Sequence, residues 1–143
     1  GVQFKENTIA TKSATANAAN AITVSWYTKT GNSEQSSQLL WDYIKDPKTI
    51  TTAAEKFQAT LLLHGLILSF QNNYYLANEG TLDQNVQKSL TASISSIKNQ
   101  PGWQEYWKNR ESHFFSEFRD YMNSILKSDS EVDEGIYKDL GGN

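Results

Sequence analysis

The chain has 143 residues and a formal net charge of −3, which suits one domain with a modest core. An acidic chain is poorly suited to holding nucleic acid phosphates, so we expect no nucleic acid partner. It contains no cysteine, which excludes disulfides, thiolate nucleophiles and cysteine zinc sites. With two prolines and 38% hydrophobic residues, the composition favours an all-α protein.

Helical periodicity begins almost at the first residue. The first predicted helix spans about residues 2–30 and ends at Gly31 and Asn32, which both tolerate positive φ. Ser33 can cap a short second helix, and Pro47 ends it. The second helix carries an apolar stripe formed by Leu39, Leu40, Tyr43 and Ile44.

The third predicted helix is the most apolar segment. Thr52 and Glu55 have the spacing of a capping box, and the helix continues to about Asn78. Its apolar residues mark two faces, one with Phe57, Leu61, Leu68 and Tyr75, the other with Leu62, Leu66, Phe70 and Tyr74. A helix that is apolar nearly all round is expected to be surrounded by other helices.

The sequence after Gly80 is also predicted to be helical. A second capping box, Thr81 to Gln84, opens a fourth helix whose apolar stripe is Val86, Leu90, Ile94 and Ile97. After a turn at Pro101 and Gly102 comes a short aromatic-rich helix, and Ser116 caps the last one. The side chains of that helix predicted to face inward are Phe118, Tyr121, Met122 and Ile125.

These elements predict an all-α fold, an irregular bundle of about five helices, three long and two short. We expect a single helical domain at residues 1–127. Residues 128–143 hold five acidic residues against Lys138 alone, a pattern typical of a flexible acidic tail.

The two histidines do not have the surroundings of a catalytic or metal site. His64 has Ile67 and Leu68 at the i+3 and i+4 positions, where a helical zinc site needs a second ligand. It is therefore expected to be a hydrogen-bonded core residue. His113 lies at a corner between helices and is expected to bond to backbone.

Carboxylate chemistry is not indicated either. Di-iron bundles need Glu-x-x-His motifs, and no core-facing stretch has one. An EF-hand beginning at Asp129 fails, because Glu134 stands at its sixth position and Leu140 at its twelfth. We predict no catalytic residue, no cofactor and no metal.

Aromatic residues are densest near the C-terminus. Seven of them lie between Trp103 and Tyr121, where the formal charge is −1, so the basic groove of a nucleic acid stacking surface is missing. Most are expected to close the end of the core. Some could line a groove for an apolar ligand or a partner helix. The candidate contact residues are Trp103, Tyr106 and Trp107.

Three stretches resemble a family of uncharacterised bacterial proteins with one N-terminal transmembrane helix and a small helical domain. They are VQFKENTIATKSATANA at 2–18, NEGTLDQNVQKSL at 78–90 and PGWQEYWKNRESHFFSEFRDYM at 101–122. The resemblance implies that Val2 continues a helix emerging from a membrane, with the spanning segment removed. Lys5 and Lys12 then favour a domain on the cytoplasmic face.

Together these observations lead to three functional hypotheses. We expect a membrane-tethered, non-enzymatic interaction or scaffolding module that binds an unknown protein partner. The alternative is a small-molecule sensor or enzyme with a pocket between the third helix and the aromatic cluster, using His64 or His113. A third hypothesis is homo-oligomer formation through the first helix.

Overall fold

A computed structural model describes residues 1–128 of the chain. The prediction of an all-α fold is confirmed, since these residues form helices and turns and no strand. The α-helices are α1 Val2–Gly31, α2 Glu34–Lys45, α3 Ala53–Asn78, α4 Gln84–Thr91, α5 Ser93–Ile97, α6 Pro101–Arg110 and α7 Ser116–Lys127. Short 3₁₀ turns lie at Pro47–Thr49 and Glu111–His113. Apart from Ser128, the predicted acidic tail lies outside the described residues.

Helix α1 packs along only part of its 30 residues. Residues 1–14 are all exposed. Farther along the helix, one row of side chains with helical spacing faces the bundle. This row consists of Ala16, Ala19, Thr23, Trp26 and Thr30. Because a helix rises about 1.5 Å per residue, the exposed part extends roughly 20 Å beyond the packed part.

Helix α1 ends where the sequence predicts, but the residue at its C-terminus does not adopt the positive φ on which the prediction was based. Asn32 is the C-cap and has a right-handed conformation with φ of −81°. Ser33 then accepts a hydrogen bond from the backbone of Ser36 and caps α2 as predicted. Positive φ occurs at Gly80, after α3, where φ is +81° and where glycine avoids the steric cost of this conformation.

The region after Gly80 differs from the sequence prediction. The cap of α4 is Asp83, whose side chain accepts hydrogen bonds from Asn85 and Val86, so the predicted capping box at Thr81 is wrong. The predicted fourth helix is divided at Ala92 into α4 and α5. Residues 1–128 therefore contain two long helices, α1 and α3, and not the three that the sequence predicts.

The main core surrounds one side of α3. Its buried side chains come mostly from α2, α3, α5, α6 and α7, and the largest of those that are fully enclosed are Trp103, Tyr106, Phe70 and Phe118. A smaller cluster around Ala19, Ala77 and Leu82 joins α1 to the end of α3. The stripe predicted for α2, Leu39, Leu40, Tyr43 and Ile44, is buried.

Gly102 allows α6 to approach α2 closely. A Cβ atom at this position would overlap the carbonyl oxygen of Tyr43 and lie 2.6 Å from the Cα of Ile44. No side chain fits there without movement of the backbone. The close approach places the aromatic rings of α6 against α2 and α3.

Candidate functional site

Helix α3 has a well-defined start, which sets the orientation of all its side chains. The Thr52 hydroxyl accepts a hydrogen bond from the backbone N–H of Glu55 at 3.2 Å. The same hydroxyl donates to the Glu55 carboxylate at 3.0 Å. Thr52 is therefore the N-cap, as the sequence predicts, although Glu55 bonds to the hydroxyl rather than to the Thr52 backbone.

One predicted apolar face of α3 is exposed. Phe57, Leu61, Leu68 and Tyr75 retain 60%, 52%, 43% and 51% of their accessible surface. We call these four residues the α3 face. The prediction that α3 is surrounded by other helices is wrong, because the helices of residues 1–128 that pack against it cover only the opposite side. Large apolar side chains grouped in this way on a surface are characteristic of interaction sites.

The spacing of the α3 face is that of a helix-packing seam. Its residues lie at positions 57, 61, 68 and 75, and the half-buried His64 and Gln71 fill the two gaps along the edge of the row. The complete row therefore alternates steps of four and three, which is the 3.5-residue repeat of a coiled coil. The sequence contains this signal, but it does not show that the row lies at the surface.

The α3 face is also uncharged. From Phe57 to Asn78 the helix contains no Asp, Glu, Lys or Arg. Exposed sides of helices in globular proteins usually carry charged side chains. An uncharged apolar row more than two turns long is therefore unusual for a surface in contact with water.

The two polar residues of the row hold the C-terminal part of the chain against α3. His64 Nδ1 lies 3.0 Å from the Tyr106 hydroxyl of α6. The side-chain oxygen of Gln71 accepts a hydrogen bond from the backbone N–H of Phe115 at 3.0 Å. Phe115 is exposed beside Gln71 and widens the apolar surface.

The predicted contact residues of the aromatic cluster lie inside the protein. Trp103, Tyr106 and Trp107 are all buried. The Trp103 and Trp107 rings stack with their centroids 5.6 Å apart, and Trp107 Nε1 donates a hydrogen bond to Asn123 at 2.9 Å. Because their rings are enclosed by α2, α3 and α7, these side chains do not form an exposed contact surface here.

The structure brings the two histidines together. Their ring centroids are 6.0 Å apart, with His64 half-buried on α3 and His113 exposed in the turn after α6. Burial lowers the pKa of His64 below its usual 6.5, and the charges of Arg110 and His113 act in the same direction. His64 is therefore neutral at pH 7, and its hydrogen bond to Tyr106 matches the sequence expectation.

Two buried tyrosines, Tyr106 beside His64 and Tyr43 of α2, are held protonated. Burial raises the pKa of Tyr106 above its usual value. Burial also raises the pKa of Tyr43 to about 12, helped by the negative charge of Glu105, to which the Tyr43 hydroxyl donates at 3.1 Å. Neither phenol is prepared to act as a base near neutral pH. Among residues 1–128 no group of three or more potential metal ligands converges.

No protein-family model, curated protein or solved structure matches this chain. The expected kinship with bacterial proteins anchored by one transmembrane helix is thus wrong, because no family is matched. The single-pass membrane placement is not supported either. Within residues 1–128, none of the helices combines the length and the apolarity that crossing a bilayer requires.

Proposed function

We propose that this domain is a non-enzymatic protein-interaction module and that the α3 face is its binding surface. The observation that carries the proposal is the row of four large, exposed and uncharged side chains on one side of α3. Removing the exposed part of each side chain from water is favourable by on the order of 1 kcal/mol. A partner that covers the row gains this free energy along a continuous surface.

The partner we propose is an amphipathic helix of another protein. A repeat of 3.5 residues keeps a row of side chains facing a second helix over several turns. Helix recognition of this kind uses apolar anchor residues at i, i+3, i+4 and i+7. The absence of charge on residues 57–78 favours a partner with an apolar stripe and few charges beside it.

Site-directed photo-crosslinking tests this surface. A photoreactive phenylalanine analogue at Leu68 is expected to crosslink one protein in an extract of the source cells. The same analogue at Val24 of α1, which is comparably exposed, is the control and is expected not to crosslink it. Equal crosslinking at both positions contradicts the proposed surface.

The identified partner is then purified and its affinity measured against two variants. L61D/L68D places two charges in the row and is expected to weaken binding at least a hundredfold. I22D/V24D places two charges on exposed apolar positions of α1 and is expected to bind normally. If instead the chain forms a dimer that L61D/L68D dissociates, a second copy occupies the face and the proposed partner is wrong.

A second candidate, small-molecule binding beside the histidines, is supported by the meeting of His64, Tyr106 and His113. NMR titration with a library of small polar molecules tests it. Shifts of the His64 and His113 ring signals in the wild-type chain support this candidate when the His113 shift is lost in H64Q. If no molecule of the library shifts these ring signals, the candidate is contradicted.

A further inference from the structure

A cavity of about 280 Å³ that is open to solvent lies between α1, α2, α3 and α5. Helix α3 contributes Leu63 and Leu66, which belong to its buried side and not to the α3 face. The cavity is therefore a separate feature from the surface proposed to bind a protein partner. The side chains that line the cavity indicate which class of ligand it could bind.

The interior of the cavity is aliphatic and its sides are aromatic. Leu63, Leu66 and Ile97 are buried residues at its base. The half-buried indole rings of Trp26 and Trp41 also line it. The Trp26 ring is fixed in place, since its Nε1 donates a hydrogen bond to the carbonyl oxygen of Leu62 at 2.9 Å.

Hydroxyl groups supply the polar part of the lining. The Tyr27 hydroxyl donates to the Ser93 hydroxyl at 3.1 Å and joins α1 to α5. The Ser37 hydroxyl donates to the carbonyl oxygen of Thr30 at 2.8 Å and joins α2 to α1. No charged side chain belongs to the lining within the described part of the chain.

We propose that this cavity is a binding site for one small, uncharged and mostly apolar molecule that contains a planar ring. A charged ligand is disfavoured, because no lining side chain among residues 1–128 carries a charge that could pair with it, and desolvating a charge without a partner is costly. An apolar cavity of roughly 150 Å³ is large enough for benzene, so this cavity accommodates a molecule of two or three rings. One polar group of the ligand can bond to the hydroxyls of Tyr27 and Ser93.

The test uses N-phenyl-1-naphthylamine, an uncharged fluorescent probe with three aromatic rings. Its fluorescence is expected to rise on binding and to saturate at one molecule per chain. Indole, in excess, is expected to displace it. Quenching of the protein's own tryptophan fluorescence by the probe is expected to be smaller in W41F, because Trp41 lines the cavity.

Two variants fill the cavity from different helices. S93F is expected to weaken probe binding at least tenfold. G31F provides an independent test, because Gly31 lines the cavity and a Cβ atom at this position meets nothing within 4 Å. The matched control is A92F, which adds the same ring at an exposed neighbouring position. Thermal unfolding of each variant establishes that it is folded.

The outcomes separate this site from the α3 face. Probe binding that persists in L61D/L68D and is lost in S93F or G31F supports the cavity. Binding that is lost in L61D/L68D and persists in both filled variants places the probe on the α3 face and overturns the proposal. Absence of saturable probe binding to the wild-type chain also overturns it.

Discussion

The two sides of α3 contain the same kind of side chain in different surroundings. Leu63 and Leu66 are 1% and 5% exposed, whereas Leu61 and Leu68 are 52% and 43% exposed. All four leucines lie within two turns of one helix. The difference shows that apolar composition does not decide which side of a helix is buried. The positions of neighbouring helices decide it, and no helix of residues 1–128 covers the other side.

The sharpest test of this comparison is a set of four alanine substitutions. L63A and L66A are each expected to lower the free energy of unfolding by about 2–5 kcal/mol, since each leaves a cavity in the core. L61A and L68A are expected to change it by no more than about 0.5 kcal/mol. Urea unfolding followed by circular dichroism measures all four. Equal losses on both sides of α3 would mean that the α3 face is covered in the isolated chain.

The packing on the buried side is tested next by adding a single methyl group. G102A is expected to lower the free energy of unfolding by about 3 kcal/mol, because the added Cβ overlaps the Tyr43 carbonyl. G31A is the control, since its Cβ meets nothing. Gly31 is in α1, where alanine is expected to be neutral or stabilising by less than about 1 kcal/mol. A G102A protein as stable as the wild type contradicts the close approach of α6 to α2.

The start of α3, which sets the orientation of both its sides, is tested by removing its cap. T52A is expected to lower the free energy of unfolding by about 1 kcal/mol, because the Glu55 N–H loses its acceptor. S116A is the matched control. Ser116 was predicted to be a cap, but Phe115 occupies the N-cap position of α7 and no side-chain cap bond forms there. Thermal unfolding that shifts equally in both variants argues against the assigned caps.

The smallest expected effect concerns His64, at the edge between the two sides of α3. Its pKa is lowered in the folded protein, so the unfolded chain binds the proton more readily. The stabilisation is present above the unfolded pKa of about 6.5 and is lost as the pH falls below it. The wild-type unfolding midpoint should therefore drop between pH 7.5 and 5.0.

This drop is expected to be reduced in H64Q and largely retained in H113Q, because burial, the largest cause of the lowered His64 pKa, is unchanged in H113Q. The comparison uses differences between variants, because carboxylates also titrate in this pH range. A wild-type pH dependence identical to that of H64Q would show that His64 is not the group responsible.

Part of the fold follows from local sequence. The α2 stripe at Leu39, Leu40, Tyr43 and Ile44 is predicted by its spacing and is buried. Phe118 and Met122 of α7 are also predicted to face inward and are buried. In these helices one side is apolar and the other polar, so the period alone identifies the side that leaves water.

The candidate site could be predicted only in part. The residues of the α3 face are recognisable as one side of a helix. Because α3 is apolar on both sides, however, its sequence does not indicate which side is buried. The rings of Trp103 and Trp107 are recognisable as a cluster, but their burial depends on the contact that Gly102 allows with α2. His64 and His113 meet because the turn after α6 returns to α3.

By itself, the sequence determined the helical class, most helix boundaries and the composition of each helical side. These properties depend on residues within a few positions of one another, through backbone hydrogen bonds, caps and side-chain period. Tertiary structure alone decided which side of α3 is covered, where the cavity lies and which aromatic rings reach water. Those outcomes depend on helices far apart in the chain, and the few helices of residues 1–128 that pack on α3 enclose only one of its sides.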